Sequence, residues 1–146
     1  MVTMALLGAA GKMGTRIADK LRGDPEFEVL YVEAGQAGLE RLRERGLAPT
    51  PADEAAGRAD VVVLAVPDVV IGRVARGVVP AMRPGAMLIC LDPAAPHSGE
   101  LPARSDVTYF VVHPCHPPIV NDEVTPEARG DFFGGIAKQN IVCALM

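Results

Sequence analysis

Gly8-Ala9-Ala10-Gly11-Lys12-Met13-Gly14 follows directly on the apolar run Thr3–Leu7 and opens a stretch in which Met13, Ile17, Ala18 and Leu21 recur at helical spacing. A strand that breaks at glycine and runs into an amphipathic helix is the start of an α/β unit. Each glycine has a task. Gly8 permits the tight turn out of the strand, Gly11 lets the backbone approach a pyrophosphate closely, and Gly14 lets the helix pack against the sheet. The unpaired N–H groups at the helix start then face the ligand. The amides of Lys12, Met13 and Gly14 are the expected donors, helped by a helix dipole worth roughly 0.3–2 kcal/mol.

Outward from this stretch, short aliphatic runs recur: Glu28–Val32, Val61–Val66, Met87–Leu91, Thr108–Val112 and Asn140–Leu145 join Thr3–Leu7 as strands. Helical spacing separates several of them. The first helix stops at Gly23-Asp24-Pro25, a second carries Leu39 and Leu42 and ends at Gly46, and a third runs from Val70 to Val78 before Pro80. Thr125-Pro126-Glu127 has the pattern of a capped helix start, and His113 to Pro118 that of a stiff proline-rich loop. Parallel strands need long crossovers, so the expected fold class is α/β: a Rossmann-type, doubly wound, mostly parallel sheet of about six strands. Residues 1–146 form one dinucleotide-binding domain. The last run, through Met146, reads as a buried strand without a polar tail, which leads us to expect that the natural protein continues.

The composition agrees. Hydrophobic residues make up 49% of the chain and aromatics only 4%, with no Trp, so the core is built from Val, Leu, Ile, Ala and Met, as in strands covered on both faces. A net charge of −4 without a basic stripe argues against nucleic acid or an anionic membrane as partner. Met1 to Ala10 is apolar but short, has no basic n-region and runs straight into the glycines, so it is read as a strand and not a signal peptide. Cys90, Cys115 and Cys143 lack CxxC spacing and suit a reducing cytoplasm.

About twenty residues after the glycines, Glu33 ends the second strand, where an acid accepts both hydroxyls of a ribose. A carboxylate there repels a 2′-phosphate, and Ala34, Gly35 and Gln36 supply no cation, so NAD is expected over NADP; Arg41 and Arg43 lie further along the helix. Ala65, Val66 and Pro67, at the end of the third strand, are expected to touch the cofactor near its nicotinamide-side ribose, and Asp68 to cap the next helix in preference to a ligand role. Reactive side chains are densest at His113-Pro114-Cys115-His116-Pro117-Pro118 and Asn121-Asp122-Glu123. Hydroxyl oxidation needs a base as hydride leaves, and His113 or His116 suits that near neutral pH. In a competing arrangement His116 ligates a divalent metal that polarises a carbonyl oxygen, with the remaining ligands outside this chain. A structural role for both histidines stays open, and Cys115 is read as packing.

Gly8 to Gly14, Glu33, Ala65-Val66-Pro67-Asp68, the His-Pro-Cys-His-Pro-Pro segment and Gly134-Gly135-Ile136-Ala137-Lys138-Gln139 together resemble the D-apionate oxidoisomerase family, which is phosphogluconate dehydrogenase-like. The resemblance covers essentially the whole chain. It implies NAD-linked oxidation of a branched aldonate coupled to an acyloin-type rearrangement, with a C-terminal helical substrate domain that this chain lacks. Such a fragment is expected to bind cofactor, to be inactive alone, and to self-associate into a homo-oligomer through apolar surface. The alternative is a non-catalytic NAD(H)-binding redox-sensing module, since fold does not fix function.

Overall fold

The structure is a computed structural model and describes residues 1–115, 120, 122–131 and 136–146. In chain order it runs β1 (Val2–Leu7), α1 (Lys12–Leu21), β2 (Phe27–Val32), α2 (Gln36–Glu44), α3 (Ala52–Arg58), β3 (Val61–Leu64), α4 (Ile71–Val78), β4 (Met87–Cys90), α5 (Ala94–His97), β5 (Thr108–Pro114), α6 (Pro126–Arg129) and β6 (Ile141–Leu145). Short 3-10 turns at Asp68–Val70 and Val79–Ala81 flank α4, the second containing the Pro80 that ends it. One sheet orders the strands β2-β1-β3-β4-β5-β6, parallel from β2 through β5 and antiparallel at β6.

Alternation along the strands sorts side chains into two cores. Ala5, Leu7, Leu30, Val32, Val62, Leu64, Leu88 and Cys90 face one way and pack with Ala55, Ile71 and Ala75 of α3 and α4. Leu6 and Val63 face the other way and pack with Ala18 of α1 and Leu42 of α2. Helices therefore cover both faces, the doubly wound arrangement that near-continuous aliphatic strands imply. Thr125 caps α6 as its sequence suggests, its side-chain oxygen accepting from the Ala128 amide at 3.2 Å.

Three expectations need correction, and two helices were not anticipated. The terminal strand is not buried: all five residues of β6 are exposed, because β6 is an edge strand and belongs to neither core. His113 and Pro114 are not loop residues. Antiparallel pairing with Val142 and Ile141 carries β5 on through both of them. Asp68 does not cap a helix; it is the first residue of the 3-10 turn, which has no side-chain cap. Helices α3 and α5 left no periodic apolar signal because alanine supplies most of their buried side chains.

Candidate functional site

At the carboxyl end of the sheet the chain departs from β1 toward β2 on one side and from β3 toward β4 on the other, and ligands of open α/β sheets bind in the crevice at such a switch point. Gly8 turns out of β1 with φ +79°, and a Cβ there would overlap the Ala65 carbonyl oxygen and stand 2.9 Å from the carbonyl carbon. The loop after β1 therefore lies directly on the loop after β3. The Gly8 and Ala9 amides both donate to Val32 at 3.0 and 3.3 Å, and the Gly11 amide donates to the Gly8 carbonyl at 2.9 Å. A Cβ on Gly14 would overlap the Gly8 carbonyl oxygen and stand 2.7 Å from the Ala9 Cα, so Gly14 admits the loop itself beneath α1, where a strand contact was expected.

With those bonds made, the amides of Lys12, Met13 and Gly14 have no hydrogen-bond partner among the described residues, and Gly11, the N-cap, provides no side-chain cap. Three free donors at the start of a ten-residue helix, beside a glycine whose Cβ would intrude, fit a phosphate-bearing ligand.

Two clefts flank this loop. The first, of about 490 Å³, brings Gly11, Lys12 and Met13 together with Ala65, Val66 and Pro67, and extends to His113. The second, of about 450 Å³, is lined by Gly8, Glu33 and Val66 among others. Gly14 is buried and underlies the loop. The nine residues expected to bind cofactor thus converge on one loop and its two clefts. His116, and with it the expected metal ligand, lies outside the described residues, as does Asn121. Among the described residues no group of three His, Cys, Asp or Glu side chains is placed to hold a metal.

Glu33 does more than end β2. Its Oε1 accepts the Ala10 amide at 2.7 Å, while Arg41 Nε donates to the Ala10 carbonyl oxygen at 3.3 Å, so both polar groups of Ala10 are held from the β2–α2 side. A carboxylate has about four lone-pair positions, which leaves Glu33 able to accept from a ligand in the second cleft.

At the far end of the first cleft, His113 Nδ1 lies 3.3 Å from the Leu91 carbonyl oxygen. A carbonyl can only accept, so Nδ1 is the donor in this contact, and in the neutral imidazole the lone pair is then on Nε2. The Asp92 carboxylate stands 3.9 Å from Nδ1 through Oδ2, while Oδ1 is held by the Ala94 amide at 2.8 Å. Burial, reinforced by the nearby Asp92 charge, pushes the Cys90 thiol up to about 11, which keeps it protonated and unreactive at neutral pH. The Cys115 thiol donates back to the His113 carbonyl oxygen at 3.8 Å.

Sequence reasoning missed Asp92, Arg16 and Gln139, all of which line the first cleft. Asp92 follows β4 as Val66 follows β3, so the rule applied to the third strand could have found it. Arg16 lies one helical turn beyond Lys12. Nothing local marks Gln139, which the return of β6 along β5 brings to the cleft. No helix among the described residues is long and apolar enough to cross a membrane.

The chain is 53% identical over 148 residues to the D-apionate oxidoisomerase of Rhizobium rhizogenes, covering 100% of this chain and 54% of that protein. It is 52% identical over 145 residues to the D-apionate oxidoisomerase of Cupriavidus necator, covering 98% of this chain and 52% of that protein. Among solved structures, a semialdehyde dehydrogenase NAD-binding protein from Cupriavidus necator, in complex with calcium and NAD, superposes with a TM-score of 0.89 at 51% identity, covering 100% of this chain and 53% of that one. The chain spans about half the length of the curated relatives it matches. Residues 2–129 match the model of the acetohydroxy acid isomeroreductase NADPH-binding domain, and the chain belongs to that family of Rossmann-type dinucleotide-binding domains.

Proposed function

We propose that this chain binds NAD(H) and forms the cofactor-binding half of an oxidoreductase acting on a small hydroxy or sugar acid, with D-apionate, the substrate in its relatives' name, as the leading candidate. The observation that carries this is the set of three free amides on the glycine loop, with Glu33 in the cleft on one side and His113 in the cleft on the other. The amides of Lys12, Met13 and Gly14 hold the pyrophosphate, Glu33 accepts the adenosine ribose hydroxyls, and Ala65, Val66 and Pro67 border the nicotinamide-side ribose. Bound there, the nicotinamide supplies a hydride acceptor. His113, whose Nδ1 edge faces the Leu91 carbonyl oxygen, takes the hydroxyl proton at Nε2 as the substrate carbinol becomes a carbonyl.

A divalent metal ligated by His116 and polarising the substrate oxygen is the companion proposal, supported by the calcium in the Cupriavidus necator relative and testable by loss of activity on chelation. The remaining substrate groups belong to the part of the relatives that this chain does not match, so the chain alone binds cofactor without turnover. Exposed Ile141, Val142 and Leu145 favour self-association into a homo-oligomer, which sedimentation at two concentrations checks. Three free cysteines suit the cytoplasm.

One observation favours a different cofactor: Arg41 already touches the loop, and the family is described as NADPH-binding. Titration with NADH and NADPH, followed by cofactor fluorescence, separates the two. NADH binding at least tenfold tighter, about 1.4 kcal/mol, supports the role of Glu33. Tighter NADPH sinks the NAD assignment, and binding of neither sinks the dinucleotide site.

A further inference from the structure

Gly38 lies in the first turn of α2, is buried, and lines neither cleft, yet a Cβ built on it would stand 2.6 Å from Glu33 Oε2, 2.8 Å from its carboxyl carbon and 3.2 Å from its Cγ. The Glu33 carboxyl group is folded into the space that this missing side chain leaves. In that position its other oxygen accepts the Ala10 amide at 2.7 Å. We propose that Gly38 is the positioning residue for cofactor selectivity: its empty side-chain volume seats the Glu33 carboxylate on the glycine loop, where it discriminates between a ribose diol and a 2′-phosphate. The inference rests on the ribose role proposed above for Glu33.

The three atoms nearest a Cβ at position 38 all belong to the far end of the flexible Glu33 side chain. The carboxylate therefore moves while the helix stays, and alanine also raises the helix propensity of α2. Once displaced, the carboxylate loses the Ala10 amide and its aim at the ribose together. The negative charge that repels a 2′-phosphate leaves the same spot, and Arg41 remains beside it on the Ala10 carbonyl, with no acid within ion-pair distance of it among the described residues. Loss of NADH affinity is thus accompanied by a smaller change for NADPH.

The test uses Gly38→Ala, Glu33→Ala and the double variant, each titrated with NADH and NADPH and each melted. For Gly38→Ala we expect NADH to bind about tenfold more weakly, the NADH-to-NADPH affinity ratio to fall by a similar factor, and the melting temperature to stay near that of the parent chain. In the Glu33→Ala background the Gly38→Ala change should have no further effect on the ratio, because the atoms its Cβ would strike are gone. Glu33→Ala with parental discrimination overturns the ribose role of Glu33 and this inference with it. Loss of discrimination in Glu33→Ala with full retention in Gly38→Ala overturns only the role of Gly38. A Gly38→Ala chain that fails to fold also overturns it, since the carboxylate and not the helix must give way.

Discussion

Alanine at position 8 is expected to be among the most damaging methyl additions in the chain, for two separable reasons. Gly8 has φ +79°, and a left-handed backbone costs an L-residue roughly 1–2 kcal/mol. The added Cβ also overlaps the Ala65 carbonyl oxygen, a backbone group anchored by its own amide's 2.9 Å bond to Leu7, and overpacking of this kind costs roughly 1–3 kcal/mol. The two together give about 2–5 kcal/mol, a large share of the ~5–15 kcal/mol of a typical domain. For a chain of this length about 3 kcal/mol lowers the melting temperature by roughly 6–12 °C. Two controls divide the total. Gly23→Ala has φ +81° and nothing within 4 Å, so it carries the backbone cost alone. Gly14→Ala has no positive φ and carries only the overlap with the Gly8 carbonyl and Ala9 Cα. Denaturant unfolding of the three variants, followed by NADH titration, should rank Gly8→Ala below Gly23→Ala in stability, with NADH affinity lost at Gly8 and kept at Gly23. Equal stability losses at Gly8 and Gly23, or parental NADH affinity in Gly8→Ala, would refute the packing of the two loops described here.

In a protein carrying the full length of the relatives, His113→Asn is expected to lower kcat by about 10²–10⁴-fold while NADH affinity is unchanged; retained turnover removes His113 from the chemistry and favours a binding module. The Cys90 thiol gives a pH signature. It ionises near ~8.5 in the unfolded chain but only at about 11 when folded, so above pH ~8.5 the unfolded state binds fewer protons and stability falls as pH rises toward 11. Urea unfolding between pH 8 and 10 should show this decline, and Cys90→Ala should flatten it. A parental slope in Cys90→Ala assigns the alkaline loss to another group.

The glycine loop, all six strands and the helices α1, α2 and α4 were legible because each is written locally. Periodicity of apolar residues, a glycine where a strand must turn sharply and a proline where a helix must stop act over a few residues and need no partner. Short aliphatic runs separated by helical stretches likewise implied parallel crossovers, and with them the crevice to which Gly11, Lys12, Ala65 and Val66 converge. Alanine-built α3 and α5 escaped notice because alanine is apolar enough to be buried yet common enough on surfaces to make no pattern.

What remained illegible is set by distance along the chain. The bond from Ala10 to Glu33 spans 23 residues and that from Arg41 to Ala10 spans 31, and neither partner's neighbours announce it. Asp92 and His113 are 21 positions apart and meet only because β4 and β5 are adjacent and parallel. The exposure of β6 was misjudged because its composition is that of a core strand, and composition records only which residues can be buried. Burial itself depends on which elements stack on a strand, and β6 lies at the sheet edge, outside both cores. Local chemistry thus determined which elements form and where a dinucleotide can approach. Tertiary packing decided which side chains aim the site, because hydrogen bonds and excluded volume depend on separations of a few ångströms between residues whose positions in the chain carry no common signal.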